Sequence, residues 1–199
     1  HLPTNVAQMD CDFFAFSGHK MYGPFGIGVL WGRQEWLTQM EPLIFGGEMI
    51  SRVDERSAQW AEVPTRFEGG TPNAAGAVGL AAAIEWLHGL PAAAHAHVNQ
   101  LAREAAEQLA ALPGVQVWGP REGRVALVSF SVDRVHAHDV AQVLDDRGVA
   151  VRAGHLCAQP LLRRLGTPSV VRASFAPYNT RDEVARLVAG VRAAQELFT

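Results

Sequence analysis

A chain of 199 residues, 48% hydrophobic and 19% charged, has the make-up of an ordinary globular protein with apolar surface for one large or two small domains. Its formal net charge of −3 argues against nucleic acid as a partner. No apolar run nears the roughly 20 residues of a spanning helix, so no membrane partner is expected. Two cysteines, Cys11 and Cys157, are too few for a disulfide framework, which makes the reducing cytoplasm the expected compartment.

His1-Leu2-Pro3 carries no initiator Met and runs at once into a buried-looking segment, which reads as a piece of a longer protein. Segment 9–17, MDCDFFAFS, predicts a buried strand ending in a loop, and IGVLW at 27–31 a second strand. Residues 34–41 suit a short helix. From Glu41 to Gly70 there is little periodicity, and a loop that long is functional or mobile. Thr71-Pro72-Asn73 opens a predicted helix through about His88, with Thr71 as N-cap and Pro72 in the first turn. Gly89-Leu90-Pro91 breaks it, and an Ala-rich helix over 92–112 ends at Pro113-Gly114.

Beyond that, strands are predicted over 115–118 and 124–132, then a helix over 136–147 and a short strand over 149–152. A short helix near 158–165, a strand over 169–175 and a last helix over 181–198 complete an α+β unit with helices on one face. The domain boundary falls after Gly89, giving domains 1–91 and 92–199.

Lys20 is the only lysine in a chain with sixteen arginines. A guanidinium stays protonated, whereas a desolvated amine can lose its proton and act as nucleophile or base. Lys20 follows a hydrophobic strand, where α/β folds present ligand-binding groups, and His19 beside it can depress its pKa. Ser17 and the following glycines supply donors for an anion. These glycines lead into a strand and not a helix, so they form no dinucleotide fingerprint. A Schiff-base lysine is the leading reading.

Cys157, in VRAGHLCAQP, lies on a Gly-containing loop with Arg152, His155, Arg163, Arg164 and Arg172 near it in sequence, surroundings that favour thiolate. Cys11, in its apolar segment, reads as a small buried hydrophobe. His155 and Cys157 lack two further ligands at a zinc spacing, so no metal is expected. Segment 147–172 holds five arginines and no acidic residue, which suits an anion. Arg172, within a strand, is the candidate to fork onto a carboxylate, whereas Arg163-Arg164 reads as a solvated helix face. Thr71 serves equally as a cap or as a phosphate donor. The helical histidines, His136 and His138 among them, are assigned no function.

Taken together, FSGHKMYGPFGIGVLWG, FEGGTPN, VRAGHLCAQPLL and VRASFAPYNTRDEV closely resemble the SufS-like branch of cysteine desulfurases, which includes cysteine sulfinate desulfinases, within the class-V aminotransferase family of pyridoxal-phosphate (PLP) enzymes. The resemblance implies an α/β, aspartate-aminotransferase-like PLP-dependent transferase fold. Residues 1–91 would be the carboxy-terminal part of the large PLP-binding domain, and 92–199 the linking helix and small α+β carboxy-terminal domain. It implies that Lys20 holds PLP as a Schiff base and shuttles the substrate α-proton, and that Ser17 and His19 bind the cofactor phosphate. Thr71 would do so from the partner subunit of a homodimer. Arg172 would grip the substrate carboxylate, with Arg152 lining the same entrance. Cys157 would take sulfur from L-cysteine, or act on sulfinate or selenocysteine analogues, leaving alanine and an enzyme persulfide for a sulfur-acceptor protein and iron–sulfur cluster assembly.

Two departures accompany the resemblance. Leu156 stands where many relatives have a histidine before the catalytic cysteine. The family's upstream half, with the aspartate that pairs with the pyridinium nitrogen, is also missing, so this chain by itself is expected to be inactive and to bind PLP poorly. The competing readings are another class-V enzyme, such as an aminotransferase or a selenocysteine lyase, a truncated binding module without catalysis, and a metal-binding α+β domain.

Overall fold

A short helix α1, Val6–Met9, opens the described part of the chain, residues 4–198 of a computed structural model, because the Asn5 side chain accepts from the Ala7 and Gln8 N–H groups. The helix stops at Asp10, which turns left-handed. The strand predicted over 9–17 is therefore shorter, and β1 spans Phe13–Ser17. Nor is it buried: Phe13 is 43% exposed, because β1 pairs only with β2, Gly28–Gly32, among the described residues. Cys11 lies between α1 and β1, half-buried. His1-Leu2-Pro3 lies outside the described residues.

Helix α2, Gln34–Gln39, follows as predicted. The stretch read as a featureless loop contains an antiparallel hairpin, β3 Ile50–Val53 and β4 Ala58–Trp60, closed by the Asp54 N–H on the Ser57 carbonyl at 2.8 Å. Its irregular register, with a shift between Ile50 and Arg52, erases the period-two signal. Helix α3, Ala74–His88, is capped by Asn73, whose Oδ1 accepts the Gly76 N–H at 2.9 Å; Thr71 is not the cap.

The chain divides between Leu90 and Pro91 into two compact units. The second begins with α4, Ala92–Ala110, and holds a four-stranded sheet of order β5-β6-β8-β7, every neighbour antiparallel. Its strands are β5 Val115–Trp118, β6 Leu127–Val132, β7 Arg152–Gly154 and β8 Val170–Ser174. Helices α5, Ala137–Asp145, and α7, Arg181–Phe198, complete the helical layer, and α6, Gln159–Leu165, joins β7 to β8. One phase of β6 (Val128, Phe130, Val132) and Val171 and Ala173 of β8 pack with Leu101, Leu109, Leu144 and Leu187 of the helices. Removing the fully buried Phe130 ring would cost about 3–5 kcal/mol.

The strand predicted over 149–152 begins only at Arg152. Gly148 turns left-handed, and the Val149 N–H returns to the Leu144 carbonyl at 2.9 Å, so 149–151 close the end of α5 before pairing starts. No single helix among the described residues is long and apolar enough to cross a membrane.

The start of α7 gives a pH-linked prediction. Glu183 Oε2 accepts the Thr180 N–H at 2.7 Å and Asn179 Nδ2 at 3.1 Å. The Thr180 backbone bond, with Asn179 second, holds this carboxyl below its ordinary value. A lowered folded pKa stabilises above the unfolded pKa, and the contribution fades as pH falls through the folded value. Glu183→Gln should lower stability near neutrality by about 0.5–1 kcal/mol. The gap to the parent should narrow as pH falls from the ordinary glutamate range through the lowered folded value, read by thermal unfolding followed by circular dichroism.

Candidate active site

In the first unit the site is built at the end of the β1–β2 hairpin. Ser17 closes β1 opposite Gly28 and leads into a single 3-10 turn, Gly18–Lys20, without using its side chain to cap it. Gly18 is buried, and a Cβ there would lie 2.8 Å from Ile27 Cγ2 and 3.2 Å from the Pro24 carbonyl oxygen. The Gly18 N–H donates to Ile27, and its carbonyl accepts from both Met21 and Gly23. That backbone knot fixes the two residues that follow. The His19 ring stacks on Phe25 with centroids 5.0 Å apart, and exposed Lys20 has no ion pair or hydrogen bond among the described residues.

Ser17, His19 and Lys20 thus put a hydroxyl, an imidazole and an amine on one short turn. Since Asn73 caps α3, the exposed Thr71 hydroxyl is not engaged there. Asn73 itself escaped the sequence reading. Besides capping α3 it donates through Nδ2 to the Gly26 carbonyl at 3.1 Å, tying the glycine loop to the helix.

In the second unit the register of the sheet decides what is presented. Arg172 of β8 faces Arg152 of β7 on one side and Ser129 of β6 on the other, and Ser129 faces Trp118 of β5. Directly paired residues share a face. Their chain neighbours Val128, Phe130, Val171 and Ala173 lie in the core, so Arg152, Arg172, Ser129 and Trp118 form a row on the opposite face. Neither guanidinium has an ion pair or hydrogen bond among the described residues, and Arg172 Nε is buried without a partner. Like charges directly opposite repel, and an unsatisfied buried donor costs about 1–3 kcal/mol. The pair therefore calls for an anion. Ser129 was legible only as the polar phase of LVSFSV, because its place beside Arg172 depends on register.

Gly154 ends β7 at φ +119°, and an added Cβ would stand 3.8 Å from His138 Nε2. Leu156 and Cys157 follow with φ of 53° and 60°, two left-handed residues without glycine's freedom, at a cost of about 1–2 kcal/mol each. The turn closes through the Ala158 N–H on the His155 carbonyl at 2.9 Å, and Gln159 Nε2 meets His155 Nδ1 at 3.3 Å. Cys157 is an exposed free thiol. Strain of this kind gathers where a loop must hold one reactive group. His138, assigned no role from sequence, helps to wall this loop. Among the described residues no three His, Cys, Asp or Glu side chains group as a metal site.

The class-V aminotransferase pattern matches residues 1–187. The chain belongs to the class-V aminotransferase family. A probable cysteine desulfurase of Staphylococcus epidermidis is 46% identical over 201 residues, covering 100% of this chain and 49% of the relative. One of Halalkalibacterium halodurans is 49% identical over 199 residues with the same coverage. The crystal structure of the Escherichia coli cysteine desulfurase CsdA matches with a TM-score of 0.95 at 44% identity, over 100% of this chain and 50% of that one. An apo cysteine desulfurase of Thermococcus onnurineus gives 0.89 at 40%, over 98% and 48%. This family member thus spans about half the length of the relatives it matches and has the fold of that half, which bears out the fold and family read from the four motifs.

For this class-V chain, Gly154→Ala should lower stability by about 1–3 kcal/mol through its left-handed φ alone. It should also change the rate at which iodoacetamide alkylates Cys157, read by mass spectrometry. An unchanged alkylation rate in a destabilised variant would separate Gly154 from the cysteine loop.

Proposed function

We propose that this chain is the carboxy-terminal half of a PLP-dependent cysteine desulfurase that converts L-cysteine, or its sulfinate or selenocysteine analogue, to L-alanine. With cysteine, the sulfur is left as a persulfide on Cys157. The observation that carries the reading is the row of unpartnered Arg152 and Arg172 on the sheet whose edge strand β7 leads directly into the Cys157 loop. A carboxylate binder and a nucleophile are thereby two parts of one strand-and-loop unit. Whole-chain similarity to proteins named cysteine desulfurases supports it.

The donor set around Lys20 fits PLP, and a C-DES protein 26% identical to this chain has been crystallised with glycine covalently linked to that cofactor. Lys20 Nζ would anchor PLP and carry the proton to and from the substrate α-carbon. Ser17, His19 and a partner subunit's copy of Thr71 would receive the phosphate. PLP, when bound, draws electrons from the α-carbon so that the bond from Cβ to sulfur can break. Arg172 would fork onto the substrate carboxylate with Arg152 beside it. The Cys157 thiolate would attack the substrate sulfur; the S–S bond forms as the C–S bond breaks, and the carbon retains that electron pair and takes a proton. A homodimer, a sulfur-accepting protein leading to iron–sulfur cluster assembly, and a cytoplasmic setting belong to the same proposal.

Three substitutions in the full-length protein test it. Cys157→Ala should cut alanine release from cysteine by at least about a hundredfold, and the same assay with cysteine sulfinate and selenocysteine ranks the substrates. Arg172→Ala should raise KM on the order of tenfold to a hundredfold, the loss of hydrogen bonds to a charged group. Borohydride treatment should fix a pyridoxyl group on Lys20 by mass spectrometry and none in Lys20→Ala. Full cysteine turnover by Cys157→Ala would remove the desulfurase reading and leave another class-V activity.

A further inference from the structure

Strand β5 is an edge of the second unit's sheet, and its backbone offers more than a border. The Asp133 N–H donates to the Gly114 carbonyl at 2.8 Å, which sets the alternation along the β5–β6 pair. Gly114, Gln116 and Trp118 direct their backbone groups to β6, and Val115 and Val117 direct theirs outward. Two of these outward groups are engaged: the Val115 N–H donates to Leu112 at 3.3 Å, and Gln116 Nε2 donates to the Val117 carbonyl at 2.8 Å. The Val115 carbonyl and the Val117 N–H remain. They have the spacing that one residue of a parallel strand, opposite Gln116, engages with its own N–H and C=O.

Beside this edge α4 presents the small residues Ala106 and Ala110, which leave a cavity of about 610 Å³ between helix and strand. Arg103, Arg121 and Arg124 line it against a single acidic side chain, Glu107. Arg124 is committed to the Trp118 and Gly119 carbonyls at 3.0 and 3.2 Å, whereas Arg103 and Arg121 have no ion pair or hydrogen bond among the described residues. The volume exceeds what one carboxylate or phosphate fills, and the arginines repel a second copy of the same edge.

We propose that this groove takes an extended, acidic segment of a partner polypeptide, added as a strand parallel to β5. Main-chain bonds to Val115 and Val117 would supply attachment and the arginines selection, as in other strand-addition complexes. The proposal goes beyond the desulfurase reading and does not depend on it.

The test uses the full-length protein and the fluorescence anisotropy of a short fluorescein-labelled peptide alternating glutamate and valine, with a lysine–valine counterpart. The glutamate peptide should bind with an affinity that falls as salt rises, and the lysine peptide should not. Arg103→Glu together with Arg121→Glu should weaken binding on the order of tenfold or more. Val117→Pro removes the outward donor without touching the ladder to β6, and should weaken it as strongly. Ala110→Phe, at an exposed position, fills the groove and gives a second route to the same loss should proline disturb the fold. Absence of binding, equal binding of both peptides, or variants without effect would overturn the proposal. Displacement by malonate with Val117→Pro indifferent would also overturn it, making the groove a small-anion site.

Discussion

The register of β8 between β6 and β7 is the constraint on which the second unit's chemistry depends. Sheet pairing has a period of two, so the choice that sends Val171 and Ala173 into the core also sends Arg172 to the opposite face. The helical layer enforces that choice through Phe130, Val128 and the leucines of α4, α5 and α7. A slip by one residue would bury a guanidinium among them, at a cost no local contact offsets. The positive row is thus a consequence of core packing, held by the same residues that make the unit stable. Arg152 joins it because Gly148 and Val149 delay the start of β7 until the residue that pairs with Arg172.

A different constraint governs the first unit. Lys20 is positioned by backbone bonds to Gly18 and by the absence of a side chain there, and few apolar contacts support it: the fully described buried hydrophobics of this unit are Met49, Leu80 and Ala83. Phe25, Leu43 and Ile44 stay largely exposed. The hydrogen-bonded turn around Gly18 depends on none of them.

Legibility in the sequence tracked how local the controlling physics is. The last helix was readable to the residue over 181–198, because helical period is encoded within a few positions. Lys20 and Cys157 stood out by residue type and loop chemistry. The β3–β4 hairpin was hidden by its register shift, and the start of α3 was assigned to Thr71 when Asn73, two residues on, holds the cap. Ser129, His138 and the pairing of Arg152 with Arg172 were not legible, because each is a statement about strand register or about a helix packing on a loop.

The cysteine loop joins these levels. Leu156 and Cys157 stay left-handed because both ends of their turn are fixed: β7 is anchored to β8, and α6 starts two residues later with Pro160 in its first turn. Neither end can relax without breaking strand pairing or helix, so the strain is retained in the two residues between. Such a loop fixes the backbone that carries an exposed thiol at the expense of stability, as the proposed nucleophile at Cys157 would require. Leu156 shares that left-handed backbone. With no side-chain donor or acceptor, Leu156 contributes geometry alone, and His155, bonded to Gln159, remains the loop's nearest imidazole in sequence.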